Sequence, residues 1–112
     1  MTNGHGLRLD AAAAHALAAA ADDDYVVIDE TGDIEFGYYA PVGRDPQQPH
    51  HRDELYIIAA GHGRFVCGDT RVDFGPGDRL FVAAGETHRF EDFDDGFGTW
   101  VLFFGPVKAV SG

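Results

Sequence analysis

The sequence predicts an all-β domain in which short antiparallel strands close into a small barrel, preceded by a short helix. Two observations predict this class. From Tyr25 to Phe104, short segments rich in β-branched and aromatic residues recur, and clusters of Gly, Pro and Asp separate them. Many short strands with turns at regular spacing are typical of sandwiches and barrels. No internal repeat and no second domain boundary is visible, so one domain is the simplest interpretation.

The helix is predicted over residues 11–21, which are almost all alanine. Asp10 precedes this run and is a good N-cap, because its carboxylate can accept the first free backbone N–H groups. Three aspartates follow at residues 22–24 and should end the helix, since the helix dipole disfavours anions at the C-terminus. We expect Leu9 and Leu17 to anchor the helix on the barrel.

The strands follow in order along the chain, and each boundary is a turn or loop signal. Turns are predicted at residues 31–33, 68–69, 75–78 and 84–86, where Gly, Pro and Asp cluster. The predicted strands are residues 25–28, 34–40, 55–59, 64–67, 71–74, 80–82, 87–90 and 99–104. Residues 1–24 then form a tail and the helix, residues 25–106 the barrel, and residues 107–112 a loose tail.

Composition excludes several function classes. The 112 residues suit one domain, and 8 Lys plus Arg against 19 Asp plus Glu give a net charge of -11. Such a chain is repelled by nucleic acid phosphates and by anionic membranes, so we expect neither as a partner. A single cysteine, Cys67, allows no intramolecular disulfide, which fits a reducing compartment. We expect a cytoplasmic protein; a signal peptide in the alanine-rich stretch is the minor alternative.

Two polar clusters carry the candidate chemistry. The first is Gln48-x-His50-x-x-x-Glu54, and the second ends at His88. Side chains alternate faces along a strand, so Gln48, His50 and Glu54 share a face with Tyr56. If Tyr56 points into the barrel, the other three do as well. The sequence therefore predicts that two imidazoles, a carboxylate and an amide converge in the interior.

Imidazole nitrogen and carboxylate oxygen together suit a divalent transition metal, namely Fe, Mn, Ni, Zn, Co or Cu. Two histidines and one carboxylate leave coordination positions open for water, substrate or dioxygen. The alternative is that His50, Glu54 and His88 form an internal hydrogen-bond network in a metal-free barrel. Gln48 is either an auxiliary ligand or a loop amide that satisfies backbone groups. His51 competes with His50 as a ligand, but the alternation directs it outward.

These clusters resemble the two motifs of the cupin family. Residues 43–61 resemble the first motif, and residues 77–92 resemble the second, with His50, Glu54 and His88 at motif positions. The chain is similar to small single-domain bacterial cupins of the cupin 2 conserved barrel family. Four features depart from the usual pattern: Gly43 stands one residue closer than usual, Gln48 replaces a histidine, Ala83 a proline and Asp92 an asparagine.

The resemblance implies a double-stranded β-helix, also called a jelly-roll barrel, with a metal held by His50, Glu54 and His88 and assisted by Gln48. It implies oxygenase- or isomerase-type chemistry on a small organic molecule. The alternatives are a non-catalytic barrel that binds a sugar or acid, and a structural or partner-binding protein. Exposed edge strands in small barrels are commonly covered by a second copy, so we expect a homodimer. Without a DNA-binding domain in the sequence, a transcriptional role is not expected.

Overall fold

A computed structural model describes residues 5–47 and 49–108. Each of the eight predicted strands is present, and the helix ends slightly earlier than predicted. The elements are α1 (Ala11–Ala19), β1 (Tyr25–Thr31), β2 (Ile34–Tyr39), β3 (Asp53–Ala60), β4 (Gly63–Cys67), β5 (Thr70–Phe74), β6 (Arg79–Val82), β7 (His88–Glu91) and β8 (Gly98–Phe104).

The strands form two antiparallel sheets that enclose the barrel interior. The larger sheet has the order β1-β2-β8-β3-β6, and the smaller has the order β5-β4-β7. Neighbours such as β8 and β3 are far apart in sequence, which is the crossed connectivity of the double-stranded β-helix. The predicted fold class is therefore confirmed, with one short helix added to an all-β domain.

The barrel core is aromatic and lies between the two sheets. Tyr56 and Phe97 are fully buried, and Phe90 is 2% exposed. Their rings meet in edge and tilted contacts, with 4.8 Å between the centroids of Tyr56 and Phe90 and 4.7 Å between those of Phe90 and Phe97. This packing fills one end of the barrel with hydrocarbon and leaves the polar residues at the other end.

Helix α1 packs on the outer face of the larger sheet. Its N-cap is Asp10, as predicted, because Asp10 Oδ1 accepts the Ala13 N–H at 2.8 Å. The prediction that Leu17 anchors the helix is wrong, because Leu17 is 39% exposed, whereas Ala14 and Ala18 are completely buried. Small alanine side chains allow the helix to approach the sheet closely, so the alanine face, and not the leucine, is buried. Leu9 does pack against this cluster.

Alternation on the strands that carry the site is regular. In β3, Glu54, Tyr56 and Ile58 are buried and face the interior. In β7, His88 and Phe90 are buried while Arg89 is exposed.

Within the described residues, no helix combines the length and the apolar character that crossing a bilayer requires.

Candidate metal centre

Three of the residues singled out in the sequence meet at one point in the barrel. Glu54 lies on the inner face of β3, His88 begins β7, and His50 lies in the loop before β3. One ligand atom from each lies within 4.8 Å of the others. The side chains of Glu54 and His88 are buried, whereas that of His50 is 33% exposed and borders the solvent side.

The Glu54 carboxylate is the centre of this group. Its Oε1 lies 3.2 Å from His88 Nε2 and 3.7 Å from His50 Nε2. This oxygen is fully buried and makes no well-aligned hydrogen bond with any described residue. A buried carboxylate oxygen without a donor is costly, so a cation or a proton at this point would stabilise it.

The ring orientation of His88 determines which nitrogen faces Glu54. His88 Nδ1 lies 2.9 Å from the Glu86 carbonyl oxygen, which can only accept, so Nδ1 is the donor. In the neutral ring, Nε2 then carries a lone pair directed at the centre of the group. Histidines that bind metals are held in the same way, by a second N–H donated to a backbone carbonyl.

A fourth polar group comes from Gln47. Its Oε1 lies 3.1 Å from His50 Nε2 and 3.3 Å from His88 Nε2, and it accepts the Tyr56 O–H at 3.0 Å. Sequence reasoning placed Gln48 in this role, and Gln48 lies outside the described residues. Strand alternation and the motif position both favoured Gln48, but residues 40–47 and 49–52 form no strand, so parity does not apply to them.

Behind Gln47 lies a buried carboxylate that the sequence did not reveal. Asp45 is 9% exposed and accepts three hydrogen bonds, from Tyr39 O–H at 2.5 Å, from Gln47 Nε2 at 2.7 Å and from the Phe90 backbone N–H at 2.9 Å. Because a carboxylate accepts only, Gln47 must present its NH₂ group to Asp45. The Gln47 carbonyl oxygen therefore faces the two histidines. No sequence signal distinguishes Asp45 from the other aspartates, because its contact with the Phe90 N–H joins residues 45 positions apart along the chain.

The pKa values of the two histidines shift in opposite directions. Burial lowers the pKa of His50 below its ordinary value, and the attraction of Glu54 only partly offsets this effect. Burial also acts to lower the pKa of His88, but its contacts with the Glu54 carboxylate and the Glu86 carbonyl outweigh burial and raise it. Without a metal, His88 is thus the preferred site for a proton next to Glu54.

The site opens into a cavity of about 390 Å³. Three tyrosines and Phe103 form the aromatic part of its wall, and Gln47, His50 and Glu54 of the polar group line it as well. The burial of Tyr56, together with Glu54, raises the pKa of the Tyr56 hydroxyl well above its usual range, so this group stays protonated. The residues lining the cavity are Asp23, Tyr25, Tyr39, Pro46, Gln47, His50, Glu54, Tyr56, Val101 and Phe103.

The remaining polar candidates lie elsewhere. His51 is exposed, and its Nδ1 is 3.3 Å from the Lys108 carbonyl oxygen. Asp53 points away from the interior, where it accepts the Ala84 N–H and pairs with Lys108. Cys67 is partly buried against the barrel core, and burial raises the pKa of its thiol, which is the behaviour of a small hydrophobic residue.

The ligand atoms lie close enough together to hold a metal ion. Atoms that each lie about 2.1 Å from one ion are separated by about 3.0–3.4 Å in octahedral and tetrahedral arrangements. Four of the six separations among these atoms are 3.1, 3.2, 3.3 and 3.7 Å. The ligand atoms of His50, Glu54 and His88 all lie within 4.8 Å of one another. Two imidazoles, one carboxylate and one amide oxygen could therefore surround an ion with small adjustments.

Known proteins share this architecture. The family described as Cupin domain matches residues 36–101. The uncharacterized protein SCO3923 of Streptomyces coelicolor is 30% identical over 90 residues, which cover 79% of this chain and 86% of that protein. A cupin 2 conserved barrel domain protein from Salinispora arenicola superposes with a TM-score of 0.62 at 19% identity, covering 75% of this chain and 78% of that one.

A second solved structure that is similar is the DMSP lyase DddQ of Ruegeria pomeroyi. It superposes with a TM-score of 0.58 at 26% identity, covering 71% of this chain but only 42% of that chain. This chain belongs to the cupin domain family, because the family matches residues 36–101, the Streptomyces protein is 30% identical, and the strands form the two-sheet barrel described above.

Proposed function

We propose that this protein is a small metal-dependent cupin that acts on a small organic molecule. His50, Glu54 and His88 hold a divalent transition metal, and the Gln47 carbonyl assists in the role that the sequence assigned to Gln48. The observation that carries the proposal is the buried Glu54 Oε1, which accepts no well-aligned hydrogen bond from the described residues and lies 3.2 Å and 3.7 Å from Nε2 of His88 and His50.

The metal, when bound, would supply Lewis-acid chemistry or activate dioxygen or water. The chain's own residues bind and orient the organic molecule in the cavity next to this point. Val101 and Phe103 line that cavity with apolar surface, and Tyr56 and Gln47 present polar groups near the ligands. Oxygenase- or isomerase-type reactions are compatible with this arrangement. The similarity to DddQ, a lyase by name, supports an enzyme on such a barrel.

Metal content tests the proposal directly. Protein purified without added metal is analysed for transition elements, then stripped with a chelator and reconstituted with Fe, Mn, Ni, Zn, Co and Cu in turn. We expect close to one equivalent of one metal. His88→Ala and Glu54→Gln should lose it, because each removes one of the three strongest ligands.

His50→Ala and His51→Ala are a matched pair, because the two histidines are adjacent and only the first faces the barrel. We expect His50→Ala to lower metal affinity and His51→Ala to leave it unchanged. Less than about a tenth of an equivalent of metal in the wild type, not recovered on reconstitution, would contradict the proposal. Circular dichroism of every variant distinguishes lost ligands from lost folding.

A non-catalytic ligand-binding barrel is the second candidate, and one observation favours it. The Gln47 carbonyl already accepts the Tyr56 O–H and lies within 3.3 Å of both imidazoles, so a protonated His88 leaves little of the polar group unsatisfied. This candidate predicts that a chelator and the His50→Ala substitution leave ligand affinity unchanged. The metal-dependent proposal predicts that both weaken it.

A homodimer is part of the proposal. The outer face of the larger sheet, beyond the area that α1 covers, exposes Phe81 by 47% and Ile57 by 38%. Phe81 lies in β6, an edge strand, directly across from Leu55 of β3. Burying such a face against a second copy would remove apolar area from water. Light scattering tests this: a monomeric mass that does not change with concentration would refute it, and Phe81→Ser should weaken any dimer.

A further inference from the structure

The cavity lacks cationic side chains. The chain has eight Lys and Arg residues, and all eight lie within residues 5–47 and 49–108. None of them lines the cavity, whereas Asp23 and Glu54 do. Two more carboxylates lie directly behind the wall, because Glu35 accepts the Tyr25 O–H and Asp45 accepts the Tyr39 O–H. Four carboxylates therefore lie at or behind the cavity wall, against the two positive charges that a divalent ion would bring.

Among the residues that the structure describes, the cavity wall also offers few free hydrogen-bond donors. The three tyrosines that line it all donate to the protein, Tyr25 to Glu35 at 2.8 Å, Tyr39 to Asp45 at 2.5 Å, and Tyr56 to Gln47 at 3.0 Å. The Gln47 NH₂ group donates to Asp45 as well. The tyrosines therefore present ring surfaces and oxygen lone pairs to a ligand. Such a wall suits a ligand that carries positive charge and does not need donors from the protein.

Two aromatic side chains of the cavity wall pack against each other. Tyr25 and Phe103 both line the cavity, with ring centroids 6.4 Å apart and planes at 82°. Gly37 makes room for this arrangement, because a Cβ there would lie 2.6 Å from Tyr25 Cε1. Nearly perpendicular rings next to carboxylates are the usual surroundings of bound alkylammonium groups, where cation–π attraction adds to Coulomb attraction.

We propose that the cavity recognises a small organic cation of the alkylammonium class, and that it discriminates against carboxylates and phosphorylated molecules. An anion would meet carboxylates with no Lys or Arg to offset them, while a cation meets ring surfaces and acceptors. The same acidic surroundings act on the tyrosines, since burial and then Glu35 raise the pKa of Tyr25. The inference names the ligand class of the site in the proposed function and rests on it for the ligand's role as a substrate.

Three probes of equal size test the charge preference. Choline is compared with its neutral isostere, in which carbon replaces the quaternary nitrogen, and with the isosteric carboxylate. Calorimetry is run on the metal-free and the metal-loaded protein. In the metal-free protein, we expect choline to bind at least about tenfold more tightly than the neutral isostere, and the carboxylate to bind most weakly.

Asp23→Asn and Asp22→Asn are the matched variants. Both residues are exposed and adjacent, but only Asp23 lines the cavity. We expect Asp23→Asn to weaken choline binding about threefold without affecting the neutral isostere, and Asp22→Asn to affect neither. Phe103→Leu should weaken choline binding more than that of the neutral isostere, because it removes a ring and keeps apolar volume.

The outcomes separate this inference from the proposed function. Carboxylate binding as tight as that of choline, equal binding of choline and the neutral isostere, or no saturable binding of choline would overturn the inference. A preference for choline in a protein that takes up no metal would uphold the inference and refute the metal-dependent function. Metal uptake together with a preference for the carboxylate would uphold the metal-dependent function and refute the inference.

Discussion

Replacing Asp45 tests whether this carboxylate holds the loop that supplies Gln47. In Asp45→Ala, the Phe90 N–H, the Gln47 NH₂ group and the Tyr39 O–H each lose their acceptor. A buried donor without a partner costs about 1–3 kcal/mol. Tyr39 and Gln47 line the cavity and can reach water in part, so the total is about 3–6 kcal/mol. That is a large share of the 5–15 kcal/mol, roughly, by which a domain of this size is stable.

Asp45→Asn should be much milder. An asparagine can keep its carbonyl oxygen where Asp45 Oδ2 accepts from Phe90 and Gln47. Its NH₂ group then faces Tyr39, whose hydroxyl can turn to accept. All three contacts survive, and only the assistance of the negative charge is lost, which costs about 1–2 kcal/mol. The Ala and Asn variants therefore differ although both remove the charge.

Urea denaturation of metal-free protein at constant pH measures both free energies of unfolding. Asp73→Ala is the control, because its side chain is 89% exposed and lies 3.8 Å from Arg64, and such surface pairs contribute at most about 1 kcal/mol. Metal titration adds a second measurement: Asp45→Ala frees the Gln47 amide and should weaken metal binding about 10–100-fold, and Asp45→Asn less than about tenfold. Equal costs for the Ala and Asn variants, or a cost below about 1 kcal/mol for Asp45→Ala, would refute the reasoning.

Three further outcomes are expected. Gly61→Ala should destabilise the protein more than Gly43→Ala. Both glycines have positive φ, of 87° and 81°, but a Cβ at Gly61 would also lie 2.7 Å from the Phe97 Cα, while one at Gly43 meets open space. Equal melting temperatures of the two variants would contradict this. Metal affinity should fall as pH drops, because a proton on His88 competes with the ion. The fall should begin above pH 6.5, since the pKa of His88 is raised, and should reach about tenfold per pH unit below that pKa. A dissociation constant that does not change between pH 5 and 8, roughly, would exclude His88 as a ligand. Removing the metal with a chelator should lower the melting temperature of the wild type, with recovery on adding it back, and should leave that of Glu54→Gln unchanged.

The sequence was sufficient to predict the barrel and the faces of its strands. Regular spacing of turn residues and β-branched segments depends on local backbone preferences, so all eight strands could be located without tertiary information. Alternation was equally local: within β3 it correctly oriented Glu54 and Tyr56 inward, and within β7 it oriented His88. The helix showed where local reasoning ends, since burial of Ala14 and exposure of Leu17 depend on how closely α1 approaches the sheet.

The sequence by itself determined that His50, Glu54 and His88 were the residues to consider, through residue type, strand parity and motif spacing. Only the tertiary structure decided what surrounds them. Residues 40–47 and 49–52 form no strand, so alternation gives no rule for choosing between neighbouring glutamines. Gln47 is oriented by Asp45, which in turn accepts a hydrogen bond from the Phe90 N–H across the barrel. Contacts between residues 45 positions apart in sequence follow from the closure of the barrel, and no local pattern encodes them.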